Sequence, residues 1–233
     1  MKSNTKIIQP TYTTKLPSSG KKINYRPFTV KEEKSLLLAL QEDDLETVTE
    51  AIKNTVSVCT DEAVDVDNTP YYDIEYLFLQ IRAKSVGEII ELVGSCSCSP
   101  DAKTEFGVDI ANLKVEPKPT GTTTMITIPD TNYTMSIKHP SINDFVKTFV
   151  SGGETAVETV ANCIVNVFTD DEVMSWNFQE KLEFVESMTT KQQKDIAKYL
   201  ENMPMVKLES NYTCRSCGLK HEKVLSGFSN FFV

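Results

Sequence analysis

The chain has 233 residues, 40% hydrophobic and 24% charged, with a net charge of -9, enough for one or two domains with a core. Nine glycines and ten prolines exclude a collagen-like or low-complexity chain, and no run approaches the roughly 18 apolar residues of a membrane helix. The negative charge argues against a wholly basic nucleic-acid binder, whose affinity comes from neutralising phosphates.

The charge is uneven. Residues 1–31 carry seven basic side chains and no acidic one, leaving 17 basic against 33 acidic residues in the remainder. With Pro10, Pro17 and Gly20 among them, residues 1–28 read as a basic flexible arm. Such an arm is either a solvated tail or a segment that orders on an acidic partner. The first fifteen residues contain no apolar stretch of the kind a secretory signal needs, so a reducing cytoplasm is expected.

Thr29-Val-Lys-Glu32 fits a capping box ahead of the apolar run Leu36 to Leu40. After a break at Glu42-Asp43-Asp44, Leu45, Val48, Ile52 and Val56 recur at helical spacing. Asp73 is placed to cap a third helix carrying Ile74, Leu77, Phe78 and Ile81, ended at Ser85-Val86-Gly87. Residues 29–84 are therefore expected to be N-terminal helices. Glu88 to Val93 reads as a strand running into the turn Gly94-Ser-Cys-Ser-Cys98, and the alternation of Phe106, Val108 and Ile110 predicts a second strand. Residues 123–128 and 133–137 flank Pro129-Asp-Thr-Asn132 as a β-hairpin.

After Pro140 the period returns to helix. Ser141 and Asp144 suit a cap for Phe145 to Phe149. Glu154 to Phe168, Phe178 to Met188 and Thr190 to Leu200 read as three further helices, closed by Pro204. The tail reads as strand, knuckle and strand, with Phe228, Phe231 and Phe232 as an aromatic end.

Cys214-Arg-Ser-Cys217-Gly218 has the form of a zinc-ribbon knuckle: two thiolates converge across a tight turn, and the glycine permits a positive φ. Cys96-Ser-Cys98 is one residue shorter than the usual knuckle, yet both sulfurs can face one ion. Together Cys96, Cys98, Cys214 and Cys217 supply four thiolates for a structural zinc. The competing readings are reduced surface thiols and a disulfide or redox pair. The redox reading is weakened by flanking strands, where a thioredoxin-like pair opens a helix. His221 is an alternative fourth ligand. Cys59 and Cys163 sit among apolar residues and read as packing thiols. A four-thiolate zinc has no open position for substrate. No catalytic motif is present, paired carboxylates such as Asp170-Asp171 fall at polar breaks, and no small-molecule substrate is expected.

Tyr25-Arg-Pro-Phe-Thr-Val-Lys-Glu-Glu-Lys34 followed by Leu36 to Leu40 resembles the opening of the baseplate hub assembly protein family of T-even-type contractile-tailed bacteriophages. Ile81-Arg-Ala-Lys-Ser-Val-Gly-Glu88, His139-Pro140, Leu182 to Met188 and the end from Cys214 to Phe232 carry the same resemblance, which starts at about Tyr25. It implies a non-enzymatic hub subunit or assembly chaperone. Its partners would be baseplate hub proteins of the same phage, met in the host cytoplasm during assembly or in the tail baseplate. The alternative class is a zinc-ribbon nucleic-acid-binding factor, against which stand the acidic body and the scarcity of basic residues around Cys96 and Cys98.

The expected fold is α+β: a mostly helical body with a small zinc-ribbon-like β module closed by the two cysteine turns. Residues 85–138 would supply the first part of that module, 139–203 a helical insertion, and 204–233 the second part. The reason is that both turns must meet at one ion.

Overall fold

In the computed structural model, which describes residues 7–42, 44–149 and 156–226, the chain begins with a hairpin. Strands β1 (Tyr12–Lys15) and β2 (Lys22–Tyr25) pair antiparallel. The turn closes with Leu16 N–H donating to Lys21 O and Gly20 N–H to Leu16 O. Leu16, Ile23 and Tyr25 enter the main core. The expectation of a flexible arm is thus corrected from Tyr12 onward. Ile23 and Tyr25 point inward while Lys22 and Asn24 point out, a period-2 pattern that the abundant lysines disguise. Residues 1–6 of that arm lie outside the described residues.

Helix α1 (Val30–Gln41) starts at the predicted capping box, with Thr29 N–H donating to Glu32 Oε2 at 2.7 Å. Helix α2 (Leu45–Cys59) is capped by Asp44, which accepts from Thr47 N–H at 3.0 Å. It buries Val48, Ile52, Val56 and Cys59 along one stripe. Helix α3 (Tyr71–Ser85) buries Ile74, Leu77, Phe78, Leu79 and Ile81, more than one face, because it lies at the centre of the first core.

Asp73 does not cap α3; the N-cap is Pro70. Asp73 is fully buried inside the first turn and accepts from Ser18 N–H at 3.0 Å and from the Ser18 hydroxyl. It pins the β1–β2 turn to α3. Burial pushes its carboxyl up to about 6, against the opposing pull of the Ser18 hydrogen bonds. The folded state therefore holds a proton that the unfolded chain has released near pH 4. Stability falls as pH rises through the window between the two values, by about 2 to 3 kcal/mol. Urea titrations at pH 4 and pH 6 should show this fall in the wild type, and Asp73→Asn should lose that part of the slope. Equal pH slopes in the two proteins would contradict the assignment.

Strands β3 (Ile89–Ser95) and β4 (Lys103–Asp109) form a second hairpin. After a 3-10 turn at Ile110–Asn112, β5 (Lys114–Glu116) pairs with a strand from the far end of the chain. That strand, β10 (Met205–Thr213), pairs in turn with β11 (Lys220–Ser226). Ile90, Val108, Ile110, Val206, Leu208 and Leu225 join the helical residues in the first core.

A second core lies in the middle of the sequence. Strands β6 (Thr123–Thr127), β7 (Thr134–Lys138), β8 (Ile164–Phe168) and β9 (Val173–Met174) make a four-stranded antiparallel sheet in that order. Helices α5 (Ala156–Cys163), α6 (Phe178–Glu186) and α7 (Thr190–Glu201) supply the rest of this core, where Met135, Ile137, Ile164, Val167, Val185 and Ile196 are buried. Helices α6 and α7 both begin at capping boxes, Asn177 with Glu180 and Thr189 with Gln192. Between the cores, α4 (Ile142–Phe149) starts where Ser141 and Asp144 exchange bonds at 2.9 and 3.3 Å, as their spacing predicts. Its Ile142 belongs to the first core.

The expectation of a mostly helical body is overturned. Among the described residues helix makes up about 37% and strand about 29%, and the strands form four antiparallel sheets. Three segments account for the difference. The first is the β1–β2 hairpin. The second is the predicted hairpin at 123–137, which forms but pairs with β8 and not with the cysteine-bearing strands. The third is 164–168, expected to finish a helix from Glu154. Ile164-Val-Asn-Val-Phe168 is rich in β-branched residues, which fit a pleated surface better than a helix. The apolar spacing that suggested one helix is shared between Val160 in α5 and Ile164 and Val167 in β8. Glu154, Phe228, Phe231 and Phe232 lie outside the described residues. No helix among the described residues is long and apolar enough to cross a membrane.

Candidate metal centre

Both cysteine turns close strand pairs by local bonds. Cys96 N–H donates to Ala102 O at 3.1 Å, returning the chain from β3 to β4. Cys214 N–H donates to Leu219 O at 2.8 Å, and Gly218 N–H to Cys214 O at 2.9 Å. Gly218 takes φ 76°, the left-handed conformation that glycine adopts without a steric penalty. The turns are thus two short knuckles on two separate hairpins.

Aromatic packing and two hydrogen bonds bring the hairpins together. Tyr212 lies two residues before Cys214, and Gly94 two residues before Cys96, so the two hold matching positions ahead of their turns. The Tyr212 ring fills the space that Gly94 leaves: a Cβ on Gly94 would come within 2.4 Å of it. The ring stacks on Phe106 at 4.6 Å and on His221 at 4.8 Å. Tyr212 Oη donates to Ser95 O at 2.7 Å, and Arg215 N–H donates to Thr104 Oγ1 at 3.2 Å.

The result is a cluster of four sulfurs. Cys96, Cys98, Cys214 and Cys217 place their Sγ atoms within 4.8 Å of one another. Cys96 and Cys217 are 3.7 Å apart, Cys98 and Cys214 3.8 Å. A tetrahedron with Zn–S bonds of about 2.3 Å has edges of about 3.8 Å, so these separations suit one ion and are far too long for a disulfide. Cys96 and Cys214 are buried with Ala102 in a small apolar cluster, while Cys98 and Cys217 face solvent.

The thiols also differ electrostatically. Backbone N–H groups of Cys217 and Ser216 donate toward Cys214 Sγ and pull its thiol down to about 6. Hydrogen bonding with Cys96 pushes Cys98 up to about 12. One thiolate forms readily, while the crowd resists four. A divalent cation removes that conflict by replacing the protons, which is how thiolate sites couple metal affinity to pH. The donor set therefore fits a structural metal, and with four thiolates bound it leaves no position for water or substrate.

The other expected positions resolve differently. Cys59 and Cys163 are buried, and burial pushes Cys59 up to about 11, as for an inert packing thiol. His221 is outside the sulfur cluster and stacks on Tyr212. His139, for which the sequence offers no partner, is buried with Nδ1 2.7 Å from Tyr72 Oη. Sequence reasoning missed Gly94, Phe106, Thr104 and Tyr212, which hold the two knuckles in register. The one available signal was the matched position of Gly94 and Tyr212 before their cysteines.

A family model described as "T4 bacteriophage base plate protein" matches residues 9–233. No curated protein and no solved structure matches the chain. The match covers both cores and both cysteine turns, and on that extent the chain belongs to the T4 bacteriophage base plate protein family.

Proposed function

We propose that this protein is a non-enzymatic hub assembly protein of the tail baseplate, a hub subunit or assembly chaperone, held in shape by one structural zinc at Cys96, Cys98, Cys214 and Cys217. The observation that carries the baseplate role is the family match over residues 9–233. The hub step rests on the resemblance of Tyr25 to Leu40 and of the C-terminal knuckle. The sulfur separations of 3.7 and 3.8 Å support the zinc. In this reading the metal joins β3–β4 to β10–β11, and the protein acts by contact with other hub proteins in the host cytoplasm during assembly.

Affinity capture of the tagged, full-length chain from infected cells, followed by mass spectrometry, should recover baseplate hub proteins above an untagged control. Recovery of no baseplate protein would contradict the reading. Recovery of hub proteins only before tails are complete would identify the chaperone form, and their recovery from finished tails the subunit form.

A further inference from the structure

We propose that the solvent face of the β1–β2 hairpin is the docking surface for an acidic segment of another baseplate protein. Lys15 and Lys22 are directly opposite one another across the hairpin, and both are exposed. Like charges in that position repel, so the pair opposes the hairpin it sits on. Neither lysine has an ion-pair partner among the described residues. Five other lysines do have a carboxylate partner: Lys53 with Asp67, Lys84 with Glu88, Lys114 with Glu209, Lys191 with Asp130 and Lys198 with Asp195.

The neighbouring cross-strand pair adds to the pattern. Thr13 Oγ1 donates to Asn24 Oδ1 at 2.8 Å, which leaves the exposed Asn24 amide N–H groups for another acceptor. The face thus offers two ammonium groups and an amide donor, suited to carboxylates. Electrostatics outside the hairpin sharpen the choice. After residue 31 the chain holds 17 basic and 33 acidic residues, so an acidic partner is repelled by most of the body. A cationic face on the hairpin then favours docking there and raises the encounter rate more than the final affinity.

The partner's identity rests on the baseplate reading, but the surface chemistry does not. The test is therefore a titration of the full chain with fluorescently labelled poly-L-glutamate, read by anisotropy at about 10 mM and about 150 mM salt. Binding should appear at low salt and weaken at high salt. Lys15→Gln/Lys22→Gln should weaken it about fivefold, the scale of two exposed ion pairs. Lys191→Gln/Lys198→Gln, which removes two cations elsewhere, should leave it unchanged. The hairpin variant should melt at the same or a higher temperature than the wild type, since it relieves repulsion. Absence of binding at low salt, equal loss in both variants, or tighter binding to duplex DNA would overturn the proposal. So would a lower melting temperature of the hairpin variant, because the lysines would then serve the fold. A failed titration leaves the assembly role standing, and a failed capture experiment leaves this surface standing.

Discussion

Replacing Cys214 by serine is expected to reduce bound zinc from about one equivalent to near zero and to lower folding stability by about 4 kcal/mol or more, the range of lost metal or disulfide sites. The Cys214 thiol is pulled down to about 6, because backbone N–H groups of Cys217 and Ser216 already point at its sulfur. Serine keeps the size and removes the thiolate. The remaining three sulfurs then face one another with no charge to balance them, and the two hairpins lose their covalent bridge through the ion. The effect should concentrate in β3–β4 and β10–β11, while the second core around Met135, Ile137 and Val167 keeps its protection in hydrogen exchange. Metal analysis by mass spectrometry and chemical denaturation read both halves. A variant with unchanged zinc content and unchanged stability would remove the metal centre from the account.

Gly94→Ala should cost about 3 kcal/mol for a single methyl group. The added Cβ would fall 2.4 to 2.8 Å from three carbons of the Tyr212 ring. A flexible side chain would swing aside, but this ring is stacked against Phe106 and His221, and its hydroxyl is bonded to Ser95 O. Moving it sacrifices a stack and a hydrogen bond and drags Cys214 with it, so the penalty is at the upper end of overpacking effects. The check is a double-mutant cycle. In a Tyr212→Ala background there is no ring to strike, and Gly94→Ala should then cost less than about 0.5 kcal/mol. Additive penalties would show that the clash does not set the price of the substitution.

How far this could be read from the sequence depended on whether the signal was local. The capping box at Thr29 and Glu32, the helix stripe of Val48, Ile52 and Val56, and the reciprocal cap of Ser141 and Asp144 all lie within one or two turns, and each formed where expected. The four cysteines were legible because few residue types share their chemistry. What failed was assignment between partners distant in sequence. Thr123 to Lys138 is a hairpin on local grounds, but its pairing with Ile164 to Phe168 depends on residues about 30 positions away. The β1–β2 hairpin was hidden because its lysines dominated the composition, although Ile23 and Tyr25 alternate. Asp73 illustrates the same limit: its spacing suits a cap, and only the arrival of Ser18 from 55 positions away makes it a buried anchor. Gly94 and Tyr212 form the lock beside the four-cysteine cluster, and their one shared signal, a place two residues before a cysteine, does not say that positions 118 apart meet.

The most direct test is X-ray absorption at the zinc edge of the purified, full-length protein. The account predicts one zinc per chain with a single shell of four sulfurs at about 2.3 Å. A protein without zinc, or a shell containing nitrogen or oxygen at about 2.0 Å, would contradict the four-thiolate centre.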